Sequence, residues 1–106
     1  MSSIKNQAQT DADTLTVERT KTKKPRRFHV IMHNDDYTTQ EFVIHVLIHY
    51  FRKEPGEATQ LMLAVHLQGR AKVGIYTKDV AESKVAVVTS YARENGMPLM
   101  LSAEPE

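Results

Sequence analysis

The 106-residue chain has no cysteine and no tryptophan, and it holds only four glycines and four prolines. The lack of cysteine excludes a disulfide frame and any thiolate metal site, and makes a reducing compartment the natural expectation. No apolar run approaches membrane-spanning length, and the first residues lack the apolar centre of a signal peptide, so a soluble cytoplasmic protein is expected. There is no Gly-rich phosphate loop, and neither Ser83 nor Ser90 lies in a Gly-x-Ser-x-Gly turn. The common nucleotide and nucleophile motifs are therefore missing, and no enzyme activity, cofactor or metal is expected. Aromatic residues make up only 7% of the chain, but 41% apolar content is enough for one modest core.

Charge is present but uneven. Residues 1–27 hold seven Lys/Arg against Asp11, Asp13 and Glu18, a balance of +4, while residues 28–106 hold seven Lys/Arg against ten acids, a balance of −3. Residues 1–25 carry only Met1, Ile4, Leu15 and Val17 as sizeable apolar side chains, with no sustained period. Such a segment cannot bury enough to offset its ordering entropy, so a disordered extension over 1–25 and a folded domain over 26–106 are expected. The basic cluster from Lys21 to Arg27 could serve a small nucleic-acid-binding module. The acidic balance of the domain and the lack of interleaved aromatics oppose that reading, so neither nucleic acid nor membrane is an expected partner.

Within the domain, Phe28, Val30 and Met32 alternate with His29, Ile31 and His33 as a first strand. Thr38 or Thr39 can cap a helix whose stripe is Phe42, Val43, Val46, Leu47 and Tyr50, with Glu41, His45 and His49 on the opposite face. Pro55 opens a second helix marked by Ala58, Leu61, Met62 and Val65, and Gly69 closes it. Ala71, Val73 and Ile75 then alternate as a second strand. Thr77 caps a third helix carrying Val80, Ala81, Lys84, Val85, Val88, Tyr91 and Ala92, and Asn95-Gly96 ends it. A short strand, Leu99 to Leu101, follows Pro98, and Glu104 to Glu106 read as a loose tail. The order β-α-α-β-α-β predicts an α+β two-layer sandwich, a three-stranded antiparallel sheet with three helices on one face.

Between the first strand and first helix lies an unusual turn, with Asn34, Asp35 and Asp36 consecutive and Thr38 and Thr39 close behind. A cap or a turn brace needs one or two such acceptors. The excess makes a binding turn worth considering beside the structural reading. Met62 and His66, four apart on the second helix with Val65 adjoining, are either core residues and a tolerated edge histidine, or the floor and rim of a cavity. Facing the turn, such a cavity would suit a ligand with a cationic head and an apolar body. Glu41, His45 and His49 share a helical face but lack the acid of a His-Glu-x-x-His zinc helix, so a solvated surface is the simpler reading.

Asn34-Asp-Asp-Tyr-Thr38, Glu41-Phe-Val43, Ala58-Thr-Gln-Leu-Met-Leu-Ala-Val-His66, Val80-Ala-Glu-x-Lys-Val-Ala86, Tyr91-Ala-Arg-Glu-Asn95 and Pro98-Leu99 together resemble the ClpS family. Those proteins are bacterial adaptors that bring N-degron substrates to the Clp protease. The resemblance spans about residues 27–102. It implies a non-catalytic protein that binds chains beginning with Leu, Phe, Tyr or Trp, on a fold like that of the ribosomal stalk C-terminal domain. By the same resemblance Asn34, Asp35 and His66 would receive the free α-amino group. Asp36, Thr38 and Gln40 would shape the mouth, and Met32, Val43, Met62, Val65 and Leu99 would line the side-chain pocket. Asp79, Glu82 and Lys84 would dock the N-terminal domain of a ClpA-type AAA+ unfoldase, and the extension would be engaged during handover. Two positions depart from the family pattern: Thr39 stands where Pro is frequent, and Gln40 where Met is frequent.

Overall fold

The computed structural model describes residues 25–106. The expected extension over 1–25 lies outside the described residues apart from Pro25. In chain order the elements are β1 (Arg27–His33), α1 (Gln40–Phe51), α2 (Pro55–Gln68), β2 (Arg70–Thr77), α3 (Lys78–Glu94) and β3 (Met100–Pro105). The sheet order is β2-β1-β3, antiparallel on both sides of β1, with the helices against one face. The expected two-layer sandwich is thus the observed one. Among the described residues no helix is long and apolar enough to cross a membrane.

Local signals place the helix ends. Thr39 caps α1, its hydroxyl oxygen accepting from the Phe42 N–H at 3.1 Å. Pro55 sits in the first turn of α2, where its missing N–H has no helical partner to lose. Gly69 ends α2 at φ 90°, a conformation that residues with a Cβ rarely adopt. Thr77 holds the cap position of α3 but makes no side-chain cap bond.

Four expectations need correction. Strict alternation along β2 fails because a bulge falls between the pairs Val30–Gly74 and Ile31–Lys72. The extra residue shifts the period, so Val73 stays in the core while Ile75 turns outward and Tyr76 inward. Val80 is an exposed residue of α3, not part of its buried stripe of Ala81, Val88 and Ala92. His45 is half-buried and shares a 2.9 Å hydrogen bond between its Nε2 and the Tyr91 hydroxyl, so it does not face open solvent. Finally, the tail is strand rather than loose chain, with Phe28 opposite Pro105 and His29 opposite Glu104. Its composition hid this because the partners are remote: Arg27 grips Glu106 through two bonds of 2.9 and 2.8 Å, and Arg70 reaches Glu104 at 2.9 Å.

The Arg70–Glu104 pair also explains a burial that alternation missed. Arg70 pairs across from His33 and Glu104 across from His29, so the ion pair passes over Ile31 on the helix-free face of the sheet. Ile31 is 1% exposed there, and β1 therefore buries Val30, Ile31 and Met32 in succession.

Lys84 is turned inward. Its Nζ donates to the Tyr50 carbonyl at 2.7 Å, satisfying one of the open carbonyls in the last turn of α1. The ammonium also stands 5.8 Å from the Phe51 ring centroid and 5.6 Å from that of Tyr76. Lys84→Met keeps the apolar stem and loses both interactions. Urea unfolding should show a loss of roughly 1.5–3 kcal/mol, the range for one charged hydrogen bond; no measurable loss would mean that the ammonium contributes nothing by this contact.

Candidate functional site

The turn after β1 is built from its own side chains. Asp35 Oδ1 accepts from the N–H groups of Tyr37 at 2.8 Å and Thr38 at 2.7 Å, and Oδ2 accepts from the Thr38 hydroxyl at 2.7 Å. That is an Asx-type brace, and with Thr39 as cap it uses the acceptors that the fold itself requires. The Asn34 N–H donates to the Gly69 carbonyl at 2.9 Å, which fastens the turn to the C-terminal end of α2. Asn34, Asp36 and His66 are all exposed, and none has a side-chain hydrogen bond among the described residues.

These groups surround a cavity of about 210 Å³. Asn34, Asp35, Asp36, Thr38, Gln40 and His66 contribute its polar part, and Val43, Met62 and Val65 its apolar part. The turn, the first turn of α1 and the last two turns of α2 thus converge as the cavity reading anticipated. Met32 and Leu99 do not line the cavity; at 0% and 1% exposed they belong to the core cluster that also holds Val43, Met62 and Val65. The volume lies below the roughly 300 Å³ at which drug-sized ligands are usually accommodated, which favours a single side chain over a whole small molecule.

A second, larger cavity of about 300 Å³ lies on α3 and is lined by Tyr50, Asp79, Val80, Ser83, Lys84 and Val87. It includes two of the three residues that the resemblance would assign to docking, Asp79 and Lys84; Glu82 is exposed but outside it. Val80 and Val87, two helical turns apart and both exposed, make its apolar ridge. Helical period counted Val80 among the positions marking the third helix and did not mark Val87.

Arg93 is a residue that pattern reading did not single out. Its Nη1 donates to the carbonyls of Met97 and Leu99 at 3.0 Å each, fixing the connection from α3 to β3. Its charge also acts on Asp35. Burial pushes the Asp35 carboxyl up, but the bonds from the Thr38 hydroxyl, the Thr38 and Tyr37 N–H groups and the Arg93 charge outweigh it, and the carboxyl sits below its ordinary 3.8.

A depressed carboxyl stabilises the fold above its unfolded-state value, and the contribution is lost as pH falls through the lower folded value. Asp35→Asn should therefore be less stable than the parent near neutrality. The gap should close on acidification below the ordinary 3.8. Thermal melts of the two proteins across that window measure it, and a gap independent of pH would remove the charged brace.

Residues 23–102 match the family described as "ATP-dependent Clp protease adaptor protein ClpS". The ATP-dependent Clp protease adapter protein ClpS of Deinococcus radiodurans is 54% identical over 93 residues, covering 88% of this chain and 82% of the relative. That of Myxococcus xanthus is 47% identical over 102 residues, covering 96% and 95%. Among solved structures, Agrobacterium tumefaciens ClpS2 bound to L-phenylalaninamide superposes with a TM-score of 0.76 at 38% identity, covering 78% of this chain and all of that one (100%). With a family match over most of its length and relatives at about half identity, the chain belongs to the ClpS family of Clp protease adaptor proteins.

Proposed function

We propose that the cavity between the Asn34–Thr38 turn and α2 holds the first residue of a protein chain whose side chain is bulky and apolar: Leu, Phe, Tyr or Trp. The carrying observation is the division of one small cavity into a rim of hydrogen-bonding groups and a floor of Val43, Met62 and Val65. The ligand of the structural relative, L-phenylalaninamide, has the same division: a free α-amino group, a benzyl side chain and an amide. An ammonium presents three donors. Asn34, Asp36 and His66 offer exposed side chains with no hydrogen bond among the described residues, and in this reading they surround the amine. Asp35, assigned to the amine by family resemblance, serves in this reading as the brace that holds its neighbours, with any amine contact through its remaining lone pairs.

Charge-assisted bonds of roughly 1.5–3 kcal/mol each, with about 1.5–3 kcal/mol for burying the side chain, stand against an association cost of roughly 4–15 kcal/mol. Only the low end of that cost leaves a surplus of about 8 kcal/mol, the micromolar affinity that would let an adaptor capture a cargo and release it. The adaptor performs no chemistry in this reading. It passes the cargo to a ClpA-type unfoldase whose N-terminal domain docks on α3, where Asp79 lines the groove beside the exposed Val80 and Val87, and Glu82 is exposed elsewhere on the same helix. Lys84 would act there by anchoring the end of α1 beneath the groove rather than by reaching outward.

Peptides beginning with Leu or Phe should bind, and their N-acetylated forms should lose binding by a hundredfold or more, about 2.7 kcal/mol. Acetylation removes the charge and two donors, leaving Asp36 facing a neutral amide. Fluorescence anisotropy with matched peptides makes the comparison, and equal affinities would sink the amine-recognition reading.

Gln40, in the first turn of α1, lines the mouth beside Val43. Its polar amide is drawn to water rather than over an apolar floor, so the entrance crowds a β-branched first residue less than a long apolar side chain would. Gln40→Met should raise the preference for Leu over Ile peptides several-fold, with Leu gaining about 1 kcal/mol from added apolar contact. An unchanged Leu/Ile ratio would exclude position 40 as a gate.

A further inference from the structure

One pair of side chains has no part in the cargo cavity or in the α3 groove. His45 and His49 lie four residues apart on α1 and so share a face. Their ring centroids are 4.3 Å apart with the planes tilted by 44°. His45 is not a free rotor: its Nε2 and the Tyr91 hydroxyl on α3 are 2.9 Å apart, and the ring also stands 5.9 Å from that of Tyr91. When Nε2 carries the proton and the phenol oxygen accepts it, Nδ1 keeps its lone pair. His49 is exposed and makes no hydrogen bond among the described residues.

The geometry points to a two-imidazole site at His45 and His49 for a divalent first-row transition cation. Imidazole nitrogens bind such ions at about 2.0–2.1 Å, so two on one cation stand roughly 3 Å apart. Rings with centroids 4.3 Å apart reach that separation through side-chain rotation alone. The Tyr91 bond supplies what metal-binding histidines usually have, a partner on the second ring nitrogen that fixes tautomer and orientation. Among the described residues no three His, Cys, Asp or Glu side chains converge, so water completes the coordination shell. Neutral nitrogen ligands with open positions favour Cu2+ over Ni2+ and Zn2+. Tyr91 stacks on Phe42 at 5.6 Å and 17°, and Val43 beside Phe42 forms part of the cavity floor. Both ligands lie on α1, so a bound cation would stiffen that helix, and it would reach α3 only through the His45–Tyr91 bond.

Calorimetric titration of the full chain with Cu2+, Ni2+ and Zn2+ salts in a weakly coordinating buffer should give one equivalent bound, tightest for Cu2+. Nitrogen-detected NMR with Zn2+ should assign the ligand atoms to His45 and His49. His49→Gln, an exposed position, should weaken binding by roughly tenfold or more, and Tyr91→Phe by roughly tenfold through loss of the positioning bond. His49→Gln should match the parent in metal-free melting temperature, and Tyr91→Phe should melt somewhat lower through loss of its bond to His45. Undiminished binding by His49→Gln, or ligand shifts centred on His29, His33 or His66 instead, would overturn the assignment.

Discussion

β1 is the member on which the rest of the domain is hung. Hydrogen-bonded along both edges, it buries Val30 and Met32 under the helices and Ile31 beneath the Arg70–Glu104 pair. A strand held on two edges and two faces has no freedom to slip, since moving by one residue would exchange its faces. The turn that begins at Asn34 therefore starts from a fixed point and direction. The bond from the Asn34 N–H to the Gly69 carbonyl then fixes its distance from α2. A small cavity whose walls come from three segments needs that certainty, because a displacement of a fraction of an ångström would separate rim from floor.

Much of this was legible in the sequence because it is local. The α1 cap at Thr39, Pro55 in the first turn of α2 and the left-handed Gly69 are each written within a few residues of where they act. The three consecutive acceptors at 34–36 marked the turn that borders the cavity. What was not legible depends on partners far along the chain. Glu104 and Glu106 read as loose because their arginines lie 34 and 79 residues away. Ile75 was assigned inward because an inserted residue in β2 leaves no mark on composition. Helical period and resemblance both single out Lys84 without placing its ammonium, because nothing near it in sequence reveals the Tyr50 carbonyl or the rings of Phe51 and Tyr76. Resemblance named Lys84 as a docking residue, but only packing shows its ammonium turned onto the Tyr50 carbonyl.

The same distinction separates two kinds of acid in the turn. Asp35 and Asp36 are neighbours of identical chemistry, yet Asp35 is occupied by two N–H groups and a hydroxyl while Asp36 is exposed and makes no such bond among the described residues. Sequence cannot divide them, since the division comes from the direction in which a bend points each side chain. Arg93 joins the arrangement from the far end of α3, holding the carbonyls of Met97 and Leu99 and biasing Asp35 towards its charged form.

That separation of duties bears on how such a protein can change over generations. Asp35, Thr39 and Gly69 carry the geometry, and substitutions there are paid in stability. Asn34, Asp36, Gln40 and His66 carry no bond of their own to the rest of the described domain through their side chains, so drift at these positions is nearly silent to folding. Selection can therefore explore the rim one residue at a time without risking the scaffold.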